Sequence, residues 1–291
     1  MENITVKQHY VPRFYLEYFV GEDSFIHVWN VEKKRFIVTR PKDICHEDNL
    51  YETAWEQESP ELGKFVLHNQ IEKYFSRCEA EFANLQKLIL DVCLNDKNKN
   101  ALILHSQEKK LLRRFFANML LRNPYTMEKL GVDGSLDDLE GNSEIEALRE
   151  VTKVLGINDF DALVQMSYKK VVLIDEMPES YVNGVCHDLE DVALEFFYSK
   201  DGGFITADFP VSFGRDSEIK DGSIQTAYFP LSPKVAVLWG NYGDLRKRSN
   251  RVVEIDMESV IDFNKTFLKG NAGRYKYVFA DCQEALEACI E

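Results

Sequence analysis

The chain has 291 residues, with 35 Lys+Arg against 49 Asp+Glu for a formal charge of −14, 45% hydrophobic and 12% aromatic. That much apolar material excludes global disorder and is enough for a substantial core. The acidic balance, with a pI near 5.0, argues against broad electrostatic capture of nucleic acid. No run approaches the roughly 18 consecutive apolar residues of a membrane span. The opening Met1–Lys7 lacks the basic-then-apolar build of a signal peptide, so a cytoplasmic protein with no membrane partner is expected. Cys45, Cys78, Cys93, Cys186, Cys282 and Cys289 form no C-x-x-C pair and read as reduced core thiols.

The stretch 8–20 reads as a short aromatic helix with Pro12 at its first position, Phe14/Tyr18 and Tyr15/Phe19 as i,i+4 pairs, and Gly21 at its end. Phe25 to Val38 alternates, with a polar turn over Glu32–Arg35, and predicts a hairpin. Residues 41–58 read as an ordered loop. Ser59 as cap and Pro60 at the first position open a long helix. Its apolar seam of Ile71, Phe75, Cys78, Phe82, Leu85, Ile89 and Val92 has spacings alternating between 4 and 3.

After a polar break at 95–100, a second helix spans Ser106 to Arg122 and is stopped by Asn123-Pro124. The two helices are expected to pair antiparallel. Residues 125–160, acidic and glycine-containing around 131–146, read as a mobile insertion whose spacing does not match a calcium loop. Beyond it, Val171–Ile174, Leu194–Tyr198, Phe204–Thr206, Val235–Trp239 and Val252–Ile255 are strand candidates. Helices are expected at 144–155, at 256–269 and, behind an Asp281/Glu284 capping box, at 282–290. Helices and strands do not alternate as βαβ units. The expectation is therefore an α+β fold in one domain, 1–291, with an N-terminal helix and hairpin (8–58), a helical pair (59–124), the acidic insertion (125–160) and a mixed sheet with helices (161–291).

Five polar positions stand out against this apolar pattern. At 100° per residue Arg122 lies within about 20° of Leu111 and Phe115 on the helix wheel, on the buried stripe. It either snorkels at the helix end or pairs inward with a carboxylate. Glu72 and Glu79 are seven apart, about 10.5 Å along the helix axis. They are ordinary surface glutamates unless one meets Arg122. Asp208 follows an apolar strand in an Asp-x-Pro sequence, which suits either a turn or a site carboxylate. His9 precedes the Pro-initiated helix and is either structural or an acid/base. The basic clusters Lys109–Arg114 and Arg246–Arg251 read first as solvated faces, and as the local patches where nucleic acid or a nucleotide would dock. P-loop, G-x-G-x-x-G, G-x-S-x-G and H-E-x-x-H motifs are absent.

Taken together, the motifs resemble the domain of unknown function 4238 family. Its QHYVP-x-FYL opening stands here as Gln8 to Leu16. It is followed in order by Leu50-Tyr51-Glu52, the pair Glu72 and Glu79, Phe115 to Pro124 carrying Arg122, Phe204 to Val211, the Pro230–Pro233 turn, and a looser segment with Asn264, Ala272, Arg274 and Tyr275. The resemblance runs from about residue 8 to 280. It implies a bacterial, cytoplasmic protein and no established reaction. Ala207 and Phe209 stand where the family tends to have Ser and Asn, which removes two polar groups beside Asp208.

The resemblance also groups His9, Glu72, Glu79, Arg122, Asp208 and Asn264 as motif residues. Two readings follow. In the first, the protein is a hydrolase of phosphodiesters or nucleotides, compatible with a nuclease-like effector in phage defence. His9 is then the general acid/base, Asp208 orients it or binds a divalent ion such as Mg, and Arg122 clamps a phosphate oxygen. Glu79 holds Arg122 or completes the metal site, and Gln8, Glu72 and Asn264 contact substrate. In the second, the same residues form a buried polar network in a non-catalytic binding or interaction module. A metal-dependent nuclease using the acidic residues of 133–146 ranks last.

Overall fold

The computed structural model describes residues 5–59, 63–95, 104–134, 141, 143–154, 156, 159–174, 193–215, 224–240 and 251–290. It is a mixed α+β fold in which helices pack on mostly antiparallel sheets. The chain opens with β1 (Lys7–His9), α1 (Arg13–Glu17) and the hairpin β2 (Ile26–Asn30) and β3 (Arg35–Thr39). A 3-10 turn at Pro41–Asp43 leads into β4 (His46–Asp48), which pairs back on β1 so that His9 faces His46. The stretch 41–58, expected as loop, therefore holds paired backbone.

The N-terminal helix is shorter than its aromatic pattern predicts, because β1 takes residues 7–9 and Pro12 stands outside the helix as its N-cap. Gly21 follows, where a side chain would collide with the carbonyl of Asp281.

The long helix does not open at Ser59. Ala54–Ser59 form β5, paired with β6 (Gly63–Phe65), and α2 runs Gln70–Asn95. Leu67 and Asn69 are both left-handed, at φ 49° and 60°, which turns the chain between strand and helix. The Asn69 N–H donates to the Glu52 carboxylate at 3.2 Å, so the entry to α2 is held by a residue seventeen positions away.

From there the seam behaves as its spacing predicts. Ile71, Phe75, Cys78, Phe82, Leu85 and Ile89 are buried along one face. Helix α3 (Ser106–Leu121) lies against it. Glu79 meets Arg122 while Phe82 stacks on Phe115 at 3.7 Å, so contacts ascend on α2 as they descend on α3 and the pair is antiparallel. Asn123 and Pro124 end α3 and at once open α4 (Pro124–Lys129), since the Asn123 side chain accepts from the Tyr125 N–H.

Within 125–160, α5 (Ser143–Val154) is helical, and residues 135–140 and 142 lie outside the described residues. Val171–Ile174, expected as a strand, ends helix α6 (Phe160–Leu173) instead. Asp159 caps that helix at the Ala162 N–H, and burial of Met166, Lys169, Val172 and Leu173 at helical spacing outweighs the β-preference of a four-residue apolar run.

The C-terminal half supplies β7 (Ala193–Tyr198), β8 (Thr206–Ala207), β9 (Ser212–Arg215), β10 (Ile224–Ser232), β11 (Val235–Gly240), β12 (Arg251–Glu254), α7 (Met257–Gly270), β13 (Tyr277–Ala280) and α8 (Gln283–Glu287). A five-stranded sheet has the order β12-β7-β11-β10-β9, with only β12 and β7 parallel. A four-stranded sheet, β3-β2-β13-β8, joins the N-terminal hairpin to the C-terminal half. Helix α8 begins at Gln283 behind Cys282 rather than in the expected Asp281 capping box. One apolar cluster draws Tyr15 and Phe19, Phe82 and Ile89, Phe115 and Phe116, and Phe229 and Trp239 together, so α1, α2, α3 and the five-stranded sheet share a core.

Among the described residues no helix is long and apolar enough to cross a membrane. Cys45, Cys78, Cys93 and Cys289 are buried and form no disulfide among the described residues.

Candidate functional site

Arg122 sits at the end of α3 and is 2% exposed, the inward alternative of the helix-wheel argument. Its Nη1 donates to Glu79 Oε1 at 2.6 Å, its Nε to the Tyr51 hydroxyl at 3.2 Å, and its Nη2 to the backbone carbonyl of His9. The guanidinium lies over the Phe75 ring at 4.3 Å, a cation–π contact closing its remaining face. Burial works against its charge, but Tyr51 and Glu79 more than compensate and hold it firmly protonated.

His9 reaches this network through its carbonyl, not its imidazole. The ring makes an edge contact with His46 at 5.1 Å, and its Nε2 is buried without a hydrogen-bond partner among the described residues. Burial, together with the nearby His46, Arg13 and Arg122, lowers its pKa to about 4, so the ring is neutral at pH 7.

Gln8, on the same strand, is fully buried. Its Nε2 donates to Glu52 Oε1 at 2.8 Å and its Oε1 accepts from the Tyr51 N–H at 2.7 Å. Glu52 in turn receives the Asn69 N–H at the start of α2, and its carbonyl accepts from Lys169 Nζ at 3.0 Å. Lys169 is 1% exposed and pairs with Asp133 at 2.6 Å. Tyr51, Glu52, Asn69 and Lys169 were not among the candidates. Tyr51 and Glu52 stood in a quoted motif and could have been chosen from it. Asn69 and Lys169 gave no local signal, because their partners lie far away in sequence.

Glu72 lines a cavity of about 680 Å³ at the start of α2. Its Oε2 is buried without a hydrogen-bond partner among the described residues. Burial, reinforced by Glu79 and Glu52 and opposed by Arg122, raises its carboxyl to about 7. Glu72 thus joins the cavity to the electrostatic surroundings of Arg122.

Asp208, just after β8, is 4% exposed, and its Oδ1 accepts from the N–H groups of Lys276 (2.9 Å) and Tyr277 (3.1 Å). Burial raises its carboxyl to about 7, against the pull of those bonds. Its carbonyl accepts from Asn123 Nδ2 at 2.6 Å, which ties it to the residue after Arg122. Beside it, Ala207 is fully buried, and Phe209 packs edge-on against Tyr125 at 6.1 Å, so apolar packing occupies the positions where relatives tend to carry Ser and Asn.

Asn264 stands apart. It accepts from the Ile205 N–H and donates to the Gly203 carbonyl and to Cys289 Sγ, clipping 203–205 to α7. His9, Glu79 and Arg122 are therefore brought together directly, Gln8 joins them through Tyr51, Glu72 and Asp208 flank them, and Asn264 belongs to a different neighbourhood.

Among the described residues no group of three or more His, Cys, Asp or Glu is arranged to hold a metal ion. Of the acidic residues of 133–146, Asp137, Asp138 and Glu140 lie outside the described set, as do Arg246 to Asn250 of the second basic cluster. Arg251 pairs with Glu195 at 3.2 Å.

No curated protein and no solved structure matches the chain. The family described as "Protein of unknown function (DUF4238)" matches residues 7–282, nearly the whole length, and the chain belongs to it.

Proposed function

We propose that the protein is a non-catalytic binding module in which the His–Arg–Asp/Glu network is a structural lock and the cavity beside Glu72 receives the ligand. The observation that carries this reading is the state of Arg122. Its guanidinium is buried and donates from Nε, Nη1 and Nη2 to Tyr51, Glu79 and the His9 carbonyl. Two further N–H donors remain on the guanidinium, but with Arg122 only 2% exposed a phosphate oxygen could reach them only by displacing buried neighbours, at about 1–3 kcal/mol for each polar group left unpaired. Asp208 is likewise engaged with the backbone of β13.

The test is Arg122→Met, assayed for both unfolding and hydrolysis of bis(p-nitrophenyl) phosphate. The binding-module reading expects a large loss of stability and no turnover in either wild type or variant. A stable variant that loses a measurable wild-type turnover would contradict it.

One observation favours the hydrolase reading. The Glu72 carboxyl, at about 7, has an unpartnered oxygen and borders a cavity, which suits proton transfer near neutral pH. In that reading Glu72 takes over the acid/base role from His9, and Glu72→Gln abolishes turnover without loss of fold.

A further inference from the structure

A separate cavity of about 420 Å³ opens near the C-terminal end of α2. Between Gln70 and Lys87 the helix rises about 25 Å, so this opening is remote from Glu72. Lys87, Leu90, Asp91 and Leu94 line it at i, i+3, i+4 and i+7, one face of the helix over two turns. Val20, just past α1, the turn between β10 and β11, and Asp281, just past β13, close the other sides. Buried hydrogen bonds fix these walls. Gln86, fully buried, donates to the Leu231 carbonyl at 2.6 Å and ties the turn to α2. Ser232 Oγ accepts from the N–H groups of Lys234 (3.2 Å) and Val235 (3.1 Å) and holds the turn in shape. The opening is therefore preformed.

Its charges are balanced in a chain whose net charge is −14: Lys87 and Lys234 face Asp91 and Asp281. None of the four makes an ion pair among the described residues. Lys87 and Asp91 have the i,i+4 spacing for one and do not form it. Burial raises the Asp281 carboxyl, and its own amide, the Cys282 thiol, His27 and Lys234 oppose that rise. Lys234 is thus near Asp281 without touching it, and a partly buried carboxylate stands across a gap from an ammonium. The charge pattern selects the ligand. An anion would meet two aspartates, and a cation two lysines. An uncharged apolar molecule would strip water from all four charges and pair none of them. A molecule with both charges at one end and an apolar body answers every wall.

We infer that this cavity binds an apolar α-amino acid, with its carboxylate on Lys234 and Lys87, its ammonium on Asp281 and Asp91, and its side chain on Leu90, Leu94 and Val20. A volume of about 420 Å³ lies in the range of small-molecule sites. The inference rests neither on the structural lock around Arg122 nor on the cavity beside Glu72.

The experiment is calorimetric titration of the full chain with L-leucine and L-phenylalanine. The controls are 4-methylpentanoate, which is leucine without its ammonium, and 3-methylbutylamine, which is leucine without its carboxylate. At least one of the two amino acids is expected to bind saturably with a Kd of about 1 mM or tighter, and each single-charge control about tenfold more weakly than leucine. Lys234→Gln, at an exposed turn position, is expected to keep the melting temperature and to weaken binding about tenfold, the worth of one charge-assisted contact. Asp281→Asn is expected to do the same to binding, and Asp91→Asn, on the exposed side of α2, supplies a second carboxylate variant that leaves the end of β13 untouched. No saturable binding of either amino acid up to about 10 mM, single-charge controls that bind as tightly as leucine, or equal affinity in wild type and Lys234→Gln overturns the assignment. Each of those outcomes leaves the predicted effect of Arg122→Met on stability as it stands.

Discussion

Arg122 reaches His9 through the histidine's backbone carbonyl, while the imidazole turns away to His46. The arginine therefore fixes the position of strand β1 rather than the protonation of a catalytic ring. Tyr51 lies between them, accepting from Arg122 Nε and donating to the His9 carbonyl at 3.2 Å. One guanidinium thus joins the N-terminal strand, the segment around residue 51 and both long helices.

Loss of that guanidinium should be costly. Arg122→Met leaves Glu79 and the Tyr51 hydroxyl without the arginine's N–H donors, and the His9 carbonyl with only the Tyr51 hydroxyl. Breaking a buried pair typically costs about 3–5 kcal/mol, and Glu79 retains partial access to water, so a loss near about 3 kcal/mol is expected in urea unfolding at pH 7. Arg122→Lys should recover only a minor part, because an ammonium cannot reproduce the fork to three partners.

Gln8 carries a similar load. Gln8→Leu removes a donor to Glu52 and an acceptor for the Tyr51 N–H in a fully buried setting. A loss of about 1–3 kcal/mol is expected from the unpaired Tyr51 N–H, since Glu52 still accepts from the Asn69 N–H. The Tyr51 amide should also exchange faster with deuterium.

Two histidine and glutamate variants separate the pH dependence of stability. His9 has a folded pKa of about 4, below its ordinary 6.5. The unfolded chain thus binds the proton more tightly, and stability is lost as pH falls from 6.5 toward 4. Glu72 is raised from 4.5 to about 7, so the folded state holds its proton more tightly and stability is lost as pH rises from 4.5 toward 7. Between pH 7 and 5, His9→Gln should lose less melting temperature than wild type. Glu72→Gln should gain on wild type as pH rises across the 4.5–7 window. Melting curves that run parallel to wild type would contradict both assignments.

Asn264 tests the separation of the two neighbourhoods. Asn264→Ala should destabilise by about 1–3 kcal/mol through the unpaired Ile205 N–H and Gly203 carbonyl. Because it shares no partner with Arg122, the double variant with Arg122→Met should be additive within about 0.5 kcal/mol. A larger coupling would place Asn264 in the network.

The parts legible in sequence are those set by period. The α2 seam and the azimuth of Arg122 both follow from 100° per residue, and Arg122 is indeed buried against Glu79. The family motifs directed attention to Gln8, His9 and Glu79, which the fold gathers, and to Asn264, which it holds elsewhere for its own local bonding. What stayed hidden depends on long-range partners. The entry to α2 is set by Glu52 reaching the Asn69 N–H, so the local Ser59-Pro60 signal was outcompeted by a hairpin. Val171–Ile174 is too short a run for periodicity to separate strand from buried helix, and the Asp159 cap upstream decided it. Whether a polar motif residue presents its side chain or its backbone to a site, as for His9, is fixed by register against a partner strand, which no local pattern encodes.

The most direct measurement of the lock is amide hydrogen exchange across residues 5–16 and 44–53 in wild type and Arg122→Met, under conditions where both remain folded. The account predicts that protection falls selectively in the β1–β4 pair, from Lys7 to His9 and His46 to Asp48, and at the Tyr51 amide, while the α7 amides around Asn264 keep theirs. Unchanged protection of β1 in the variant would contradict it, because the N-terminal strand would then be held without the arginine.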